Sequence, residues 1–232
     1  MQERASNLSS VLRFEGLLVI VGGGTVDFQL IRDLAAAGAH LVGADGGADR
    51  IVQAGHFPEA IIGDFDSLAT PEEWLGRTRL LRISEQDTTD FEKALYSTQA
   101  PVTLALGMTG RRFDHTLAAL DAVTRYARER TIILVDEEDL AMALTGAFSF
   151  KVDAGERVSV HPLAPIRFRR SLGLRYPLDG LRLAPGERTG TSNQATDGVF
   201  RIEPEPRAKA PWLLIVDRKY LFGIAAAATA RS

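Results

Sequence analysis

Short apolar runs recurring between amphipathic segments restrict the fold of this chain more than any other feature. Leu17-Leu18-Val19-Ile20-Val21, Ala39-His40-Leu41-Val42-Gly43-Ala44, Ala60-Ile61-Ile62, Leu80-Leu81-Arg82-Ile83, Val102-Thr103-Leu104-Ala105-Leu106 and Thr131-Ile132-Ile133-Leu134-Val135 read as strands. Their apolar residues are largely consecutive, so both faces of each strand need cover. Between them, Phe28, Ile31, Leu34 and Ala35 fall at helical spacing. So do Ala48, Ile51 and Val52, then Phe91, Ala94, Leu95 and Thr98, then Leu117, Leu120, Val123 and Ala127. Strands alternating with helices predict an α/β domain: a six-stranded parallel sheet flanked by helices. Such a sheet takes its ligands at the carboxyl ends of its strands.

The pattern changes after about Asp139. Short candidate strands follow at Phe148–Val152, Arg157–His161, Ile166–Arg169, Leu181–Leu183, Val199–Ile202 and Trp212–Val216, with glycine and proline between them. That spacing predicts a C-terminal antiparallel β-sandwich. The expected division is residues 1–140 and 141–232.

Composition narrows the function classes. The formal net charge of −3 gives no basic footprint for nucleic acid. There are no cysteines, which excludes disulfides, thiolate nucleophiles and cysteine zinc sites. No window approaches the roughly 18 apolar residues of a transmembrane helix, and Ala225–Ala230 is too short to span a bilayer. Met1–Phe14 lacks the basic-then-apolar layout of a signal peptide. The expectation is a cytoplasmic protein with no membrane partner.

The acids collect on the loops that follow predicted strands. Asp45 opens Asp45-Gly46-Gly47-Ala48, and Asp64 and Asp66 lie in Gly63-Asp64-Phe65-Asp66-Ser67. Asp87 and Asp90 lie in Gln86-Asp87-Thr88-Thr89-Asp90. Asp114 ends Gly107-Met108-Thr109-Gly110-Arg111-Arg112-Phe113-Asp114. Carboxylates converging on one sheet edge repel unless a cation joins them, and hard oxygen ligands suit Mg²⁺ bridging to phosphates. Glycines let backbone amides approach a phosphate, and Arg112 offers a bidentate donor to one. Each acid also has a plain structural use. Asp87 can cap a helix beginning at Thr88, Asp64 and Asp66 can shape a turn, and Lys93 can sit on a solvated helix face. Coincidence of all four loops at one edge favours the functional reading.

Gly22-Gly23-Gly24 follows the first strand as a dinucleotide fingerprint would, but Asp27 stands where the third glycine belongs. No P-loop motif is present. A dehydrogenase has no need of the acidic cluster, so transfer of a phosphoryl-type group ranks above it.

These motifs, in this order, resemble those of the thiamine pyrophosphokinase family, and Thr191-Ser192-Asn193 resembles an element of its β-domain. The resemblance runs roughly from Leu17 to Val216. It implies a homodimer that moves pyrophosphate from ATP to the thiamine hydroxyl with Mg²⁺. It further implies Asp64, Asp66 and Asp90 as metal ligands. Asp66, Asp90, Asp114, Arg112 and Asp87 would surround the reacting centre. Asp45, Gly46, Gly47, Gln86, Thr109, Gly110 and Arg112 would hold the nucleotide. Ser192 and Asn193 would form part of the thiamine pocket. A Trp packs on thiamine from the last strand of family members. Here Trp212 opens that strand early, with a core position as the alternative. Two rival readings stay open: a pyrophosphokinase acting on a hydroxymethyl pterin, and a nucleotide or thiamine sensor without turnover.

Overall fold

The computed structural model describes residues 11–68, 74 and 76–231. Most of the polar N-terminal stretch, residues 1–10, lies outside them. In chain order the first elements are β1 (Leu12–Arg13), β2 (Leu17–Val21), α1 (Phe28–Ala36), β3 (His40–Ala44) and α2 (Gly47–Gln53). They are followed by β4 (Ala60–Gly63), β5 (Arg79–Arg82), α3 (Asp90–Ser97), β6 (Thr98–Gln99), β7 (Val102–Leu106), α4 (Phe113–Tyr126) and β8 (Thr131–Val135). Next come β9 (Asp139–Leu144), β10 (Phe148–Lys151), β11 (Ser159–Pro162), β12 (Ile166–Leu172) and β13 (Arg182–Leu183). β14 (Val199–Pro204), β15 (Trp212–Asp217) and α5 (Leu221–Thr229) complete the chain.

The consecutive apolar runs become buried parallel strands, as their two-sided hydrophobicity requires. β2 pairs in parallel with β3 and with β7, so Val19 lies beside both Leu41 and Leu104. β3–β4 and β4–β5 are parallel as well. Leu18 to Val21, Val42, Ile61 and Ile62 are fully buried. Asp27, which breaks the dinucleotide pattern, is the N-cap of α1. Its side chain accepts from the amides of Gln29 and Leu30 at 2.9 and 3.3 Å.

The sheet differs from the expected six parallel strands followed by a separate sandwich. It has nine strands in the order β11-β15-β9-β8-β7-β2-β3-β4-β5 and is mixed, because β9, β15 and β11 pair antiparallel. A second sheet has the order β10-β14-β12-β13. The physical reason lies in Leu213-Leu214 of β15 and the buried residues of β9. These runs are apolar on both faces and need backbone partners on both edges. β9 is not among the strands expected from the sequence. Leu140-Ala141-Met142-Ala143-Leu144 is a helix-favouring composition, and pairing with β15 overrides it. The apolar C-terminal run forms α5. Among the described residues no helix is long and apolar enough to cross a membrane.

The chain divides into two compact units. One reaches Ala122 and takes in Leu134–Asp136. The other holds Val123–Ile133 and everything from Glu137. The acidic loops belong to the first.

Candidate active site

The loop after β3 turns sharply because Asp45 adopts a left-handed backbone, φ 46°. Its amide donates to the Ile62 carbonyl at 2.9 Å, and its carbonyl accepts from Ala48 at 3.0 Å. The side chain is thereby turned inward, and the residue is only 3% exposed. The loop after β4 contains a second left-handed residue, Phe65, φ 67°. Gly63, at the end of β4, leaves room for both loops. A Cβ there would lie 2.8 Å from Asp45 Cβ and 3.2 Å from Asp90 Oδ1.

A chain of hydrogen bonds connects the acids. The Ser67 amide donates to Asp45 Oδ2 at 3.1 Å, and Ser67 Oγ donates to Asp66 Oδ1 at 2.9 Å. The Asp66 amide donates to Asp64 Oδ1 at 3.2 Å. Gln86 Nε2 donates to Asp64 Oδ2 at 2.8 Å. Arg82 Nε donates to the Asp64 carbonyl at 3.2 Å. Asp45, Asp64 and Asp66 each present an oxygen within 4.8 Å of the others.

Two of these acids have displaced titrations. Burial pushes the Asp45 carboxyl above the usual range, with the Asp90 charge adding to it against the Ser67 hydrogen bonds. The Gln86 bond holds the Asp64 carboxyl below that range, helped by the Asp66 amide and the Lys93 charge. A depressed carboxylate contributes stability above its unfolded value and loses it as pH falls through the folded one. Gln86→Ala is therefore expected to raise the Asp64 titration toward an ordinary Asp, read by carboxyl ¹³C shifts against pH. An unmoved titration would remove Gln86 from this role.

The cluster fits a hard divalent cation such as Mg²⁺. Asp45 Oδ1 is buried and has no hydrogen-bond partner among the described residues, a costly arrangement for a carboxylate oxygen unless a cation faces it. The grouping differs from the set read in the sequence. Asp45 joins Asp64 and Asp66, whereas Asp90 pairs with Lys93 at 3.0 Å. Lys93 is 1% exposed and also lies 3.7 Å from Asp64 Oδ2. The solvated helix face expected for it is thus corrected. The signal was its position one turn after Asp90, where an acid and a base meet on a helix.

Asp87 does not cap α3. Thr89 is the N-cap, accepting from the Glu92 amide at 3.3 Å, because the helix begins at Asp90. Asp87 is exposed on a loop held by Glu85, which sequence reasoning passed over. The Glu85 carboxylate accepts from the amides of Asp87 at 2.6 Å and Thr88 at 3.0 Å, from Tyr96 OH at 3.0 Å, and from Thr88 Oγ1. Burial alone would push its carboxyl up, but these donors outweigh burial and hold it below the usual range. Glu85→Ala should lower stability by about 1–3 kcal/mol through stranded donors, measured by urea denaturation.

Gly46 is the N-cap of α2, next to the Asp45 turn, and Gly47, its first residue, packs against β2. Thr109 and Gly110 lie in the loop after β7, where Gly110 and Arg111 have φ 77° and 34°. Arg112 pairs with Asp114 in two bonds, Nε–Oδ1 at 3.2 Å and an N–H to Oδ2 at 2.6 Å, with both side chains exposed. Arg112 holds the Asp114 carboxyl below the usual range.

In the second unit, Ser192 is exposed with φ 58°. Asn193 is buried and holds the backbone of Tyr176. Its Oδ1 accepts from the Tyr176 amide at 3.0 Å, and its Nδ2 donates to the Tyr176 carbonyl at 2.7 Å. Trp212 is fully buried, edge-on to Phe168 at 5.6 Å. Of the two places that the sequence left open for it, the chain by itself shows the core one.

Residues 31–135 match the family model described as "Thiamin pyrophosphokinase, catalytic domain". The chain is 28% identical over 175 residues to Thiamin pyrophosphokinase 1 of Caenorhabditis elegans, covering 68% of this chain and 72% of that protein. Both matches agree with the resemblance to the thiamine pyrophosphokinase family. It is also 28% identical over 193 residues to the thiamine pyrophosphokinase of Bacillus subtilis, covering 75% of this chain and 87% of that one. In fold it is similar to the solved thiamin pyrophosphokinase of Geobacillus thermodenitrificans. The TM-score is 0.73 at 24% identity, over 87% of this chain and 97% of that one. The stretch matched to the thiamine pyrophosphokinase catalytic domain contains the whole acidic network and the Arg112–Asp114 pair. Ser192, Asn193 and Trp212 lie beyond it.

Proposed function

We infer that this chain is a thiamine pyrophosphokinase, transferring pyrophosphate from ATP to the hydroxyl of thiamine to give thiamine diphosphate and AMP. The observation that carries the reading is the hydrogen-bonded group Asp45, Asp64 and Asp66, with a buried, unpartnered oxygen, inside the stretch matched to the catalytic domain. In the transfer, a bond forms from the thiamine oxygen to the β-phosphorus, the bond from that phosphorus to the α–β bridging oxygen breaks, and the hydroxyl proton leaves. Asp45, Asp64 and Asp66 would hold a Mg²⁺ ion, which would supply charge neutralisation to the phosphate oxygens, and Gln86 and Ser67 fix the orientation of these carboxylates. Arg112 and the loop Thr109–Gly110 serve the phosphates. One carboxylate near the acceptor, Asp87 or Asp114, takes the hydroxyl proton. Ser192 belongs to the thiamine side. Two domain roles, nucleotide and metal in the first unit and thiamine and dimerisation in the second, complete the proposal with a cytoplasmic homodimer.

The decisive assay is AMP release from ATP and Mg²⁺, with and without thiamine, with product mass. Thiamine-dependent AMP together with thiamine diphosphate is the expected result. AMP release only with a hydroxymethyl pterin would replace the acceptor. ATP binding without AMP release would replace catalysis with sensing.

A further inference from the structure

We propose that Lys93 is a built-in cation: its ammonium bridges Asp64 and Asp90 where a second divalent ion would sit, so that the cluster takes one divalent cation, at Asp45, Asp64 and Asp66. The inference rests on the metal-binding part of the reading above. Lys93 projects from α3 and is among the largest fully buried side chains of the chain. Its Nζ lies 3.0 Å from Asp90 Oδ1 and 3.7 Å from Asp64 Oδ2. Buried lysines are rare unless paired, because removing the ammonium from water is costly.

Asp64 is the shared residue. One of its oxygens faces the Asp66 amide, and the other faces Gln86 and Lys93. A carboxylate that bridges two cations is the usual arrangement of two-metal sites, whose ions stand roughly 3.5–4 Å apart. Here one of the two positions is filled by a charge that the fold supplies. It cannot dissociate, and it fixes Asp90 through Oδ1. Asp90 in turn stands against Gly63 close to Asp45. Lys93 is therefore a positioning residue for the carboxylate group. It sets both the spacing of the acids and the number of ions that they accept.

The test uses the full chain without ATP or thiamine. Mn²⁺ is counted by electron paramagnetic resonance, and melting is followed with EDTA or with Mg²⁺. The wild-type chain should bind one Mn²⁺. Lys93→Met and Lys93→Gln remove the charge, and Gln keeps a hydrogen-bond donor should Met fail to fold. In EDTA the variants should melt about 5–15 °C below wild type, because two carboxylates lose their buried partner. Mg²⁺ should then raise their melting temperature at least twice as far as it raises that of wild type, and a second Mn²⁺ should bind. A purely structural lysine would lower melting equally with and without Mg²⁺ and leave one Mn²⁺ bound, which overturns the inference. Two Mn²⁺ ions on wild type would overturn it as well. A wild-type chain that binds no Mn²⁺ would instead remove the metal reading itself.

Discussion

Asp66→Asn is expected to leave the protein folded and to lower turnover by about two to four orders of magnitude. Asp66 is exposed, so its replacement disturbs no core. Asn keeps the size of the side chain and an oxygen to accept from Ser67 Oγ. What disappears is one negative charge from the three carboxylates grouped around a single point. Charge stabilisation by a held cation is worth several kcal/mol in the transition state, and each 1.4 kcal/mol is about tenfold in rate. Initial rates of thiamine-dependent AMP release, with a melting curve on the same sample, separate chemistry from folding. Near-normal turnover with an unchanged melting curve would take Asp66 out of the site.

Gly47→Ala has the largest expected effect on stability. Gly47 is the first residue of α2 and lies against β2. An added Cβ would stand 1.8 Å from the Val21 carbonyl oxygen and 2.5 Å from its carbon. Those are backbone atoms of a buried strand, with no rotamer to escape through. The helix must move, and the Asp45 turn moves with it through the Ala48 amide. Overpacking of this kind costs about 3 kcal/mol or more, or about 6–12 °C in melting temperature for a chain of this size. Gly46→Ala is the matched control. Its Cβ would meet Ser67 Cβ at 3.4 Å, an ordinary contact, and its φ of −58° suits alanine. Melting curves showing the two variants alike would refute the steric argument.

The parts of this molecule that local pattern determines are legible in the sequence. The unbroken apolar runs at Leu17–Val21 and Val102–Leu106 announce buried parallel strands, and the acids that follow such runs announce loops gathered at one edge. The loops of Asp45, Asp64 and Asp66 do meet. Features decided by long-range packing are not legible in this way. Nothing local distinguishes Leu140–Leu144 from a helix until β15 pairs with it. Trp212 looks the same in sequence whether it packs on Phe168 or on a ligand. Lys93 reads as a surface residue because its burial depends on the acidic loop after β4 as well as on its own helix. Glu85 works through amides and hydroxyls that follow it, and that pattern has no composition signature.

Among the described residues, β5 is the outermost strand on its side of the nine-stranded sheet, with β4 as its hydrogen-bonded neighbour there. Directly after it the Ile83 amide donates to the Gly63 carbonyl at 2.7 Å, and the loop that carries Glu85 and Gln86 begins. Rim strands exchange their amide hydrogens through local openings that cost far less than global unfolding. An opening that took the loop after β5 with it would separate Gln86 from Asp64. The alignment of the carboxylates would then depend on the border of the sheet more than on its middle.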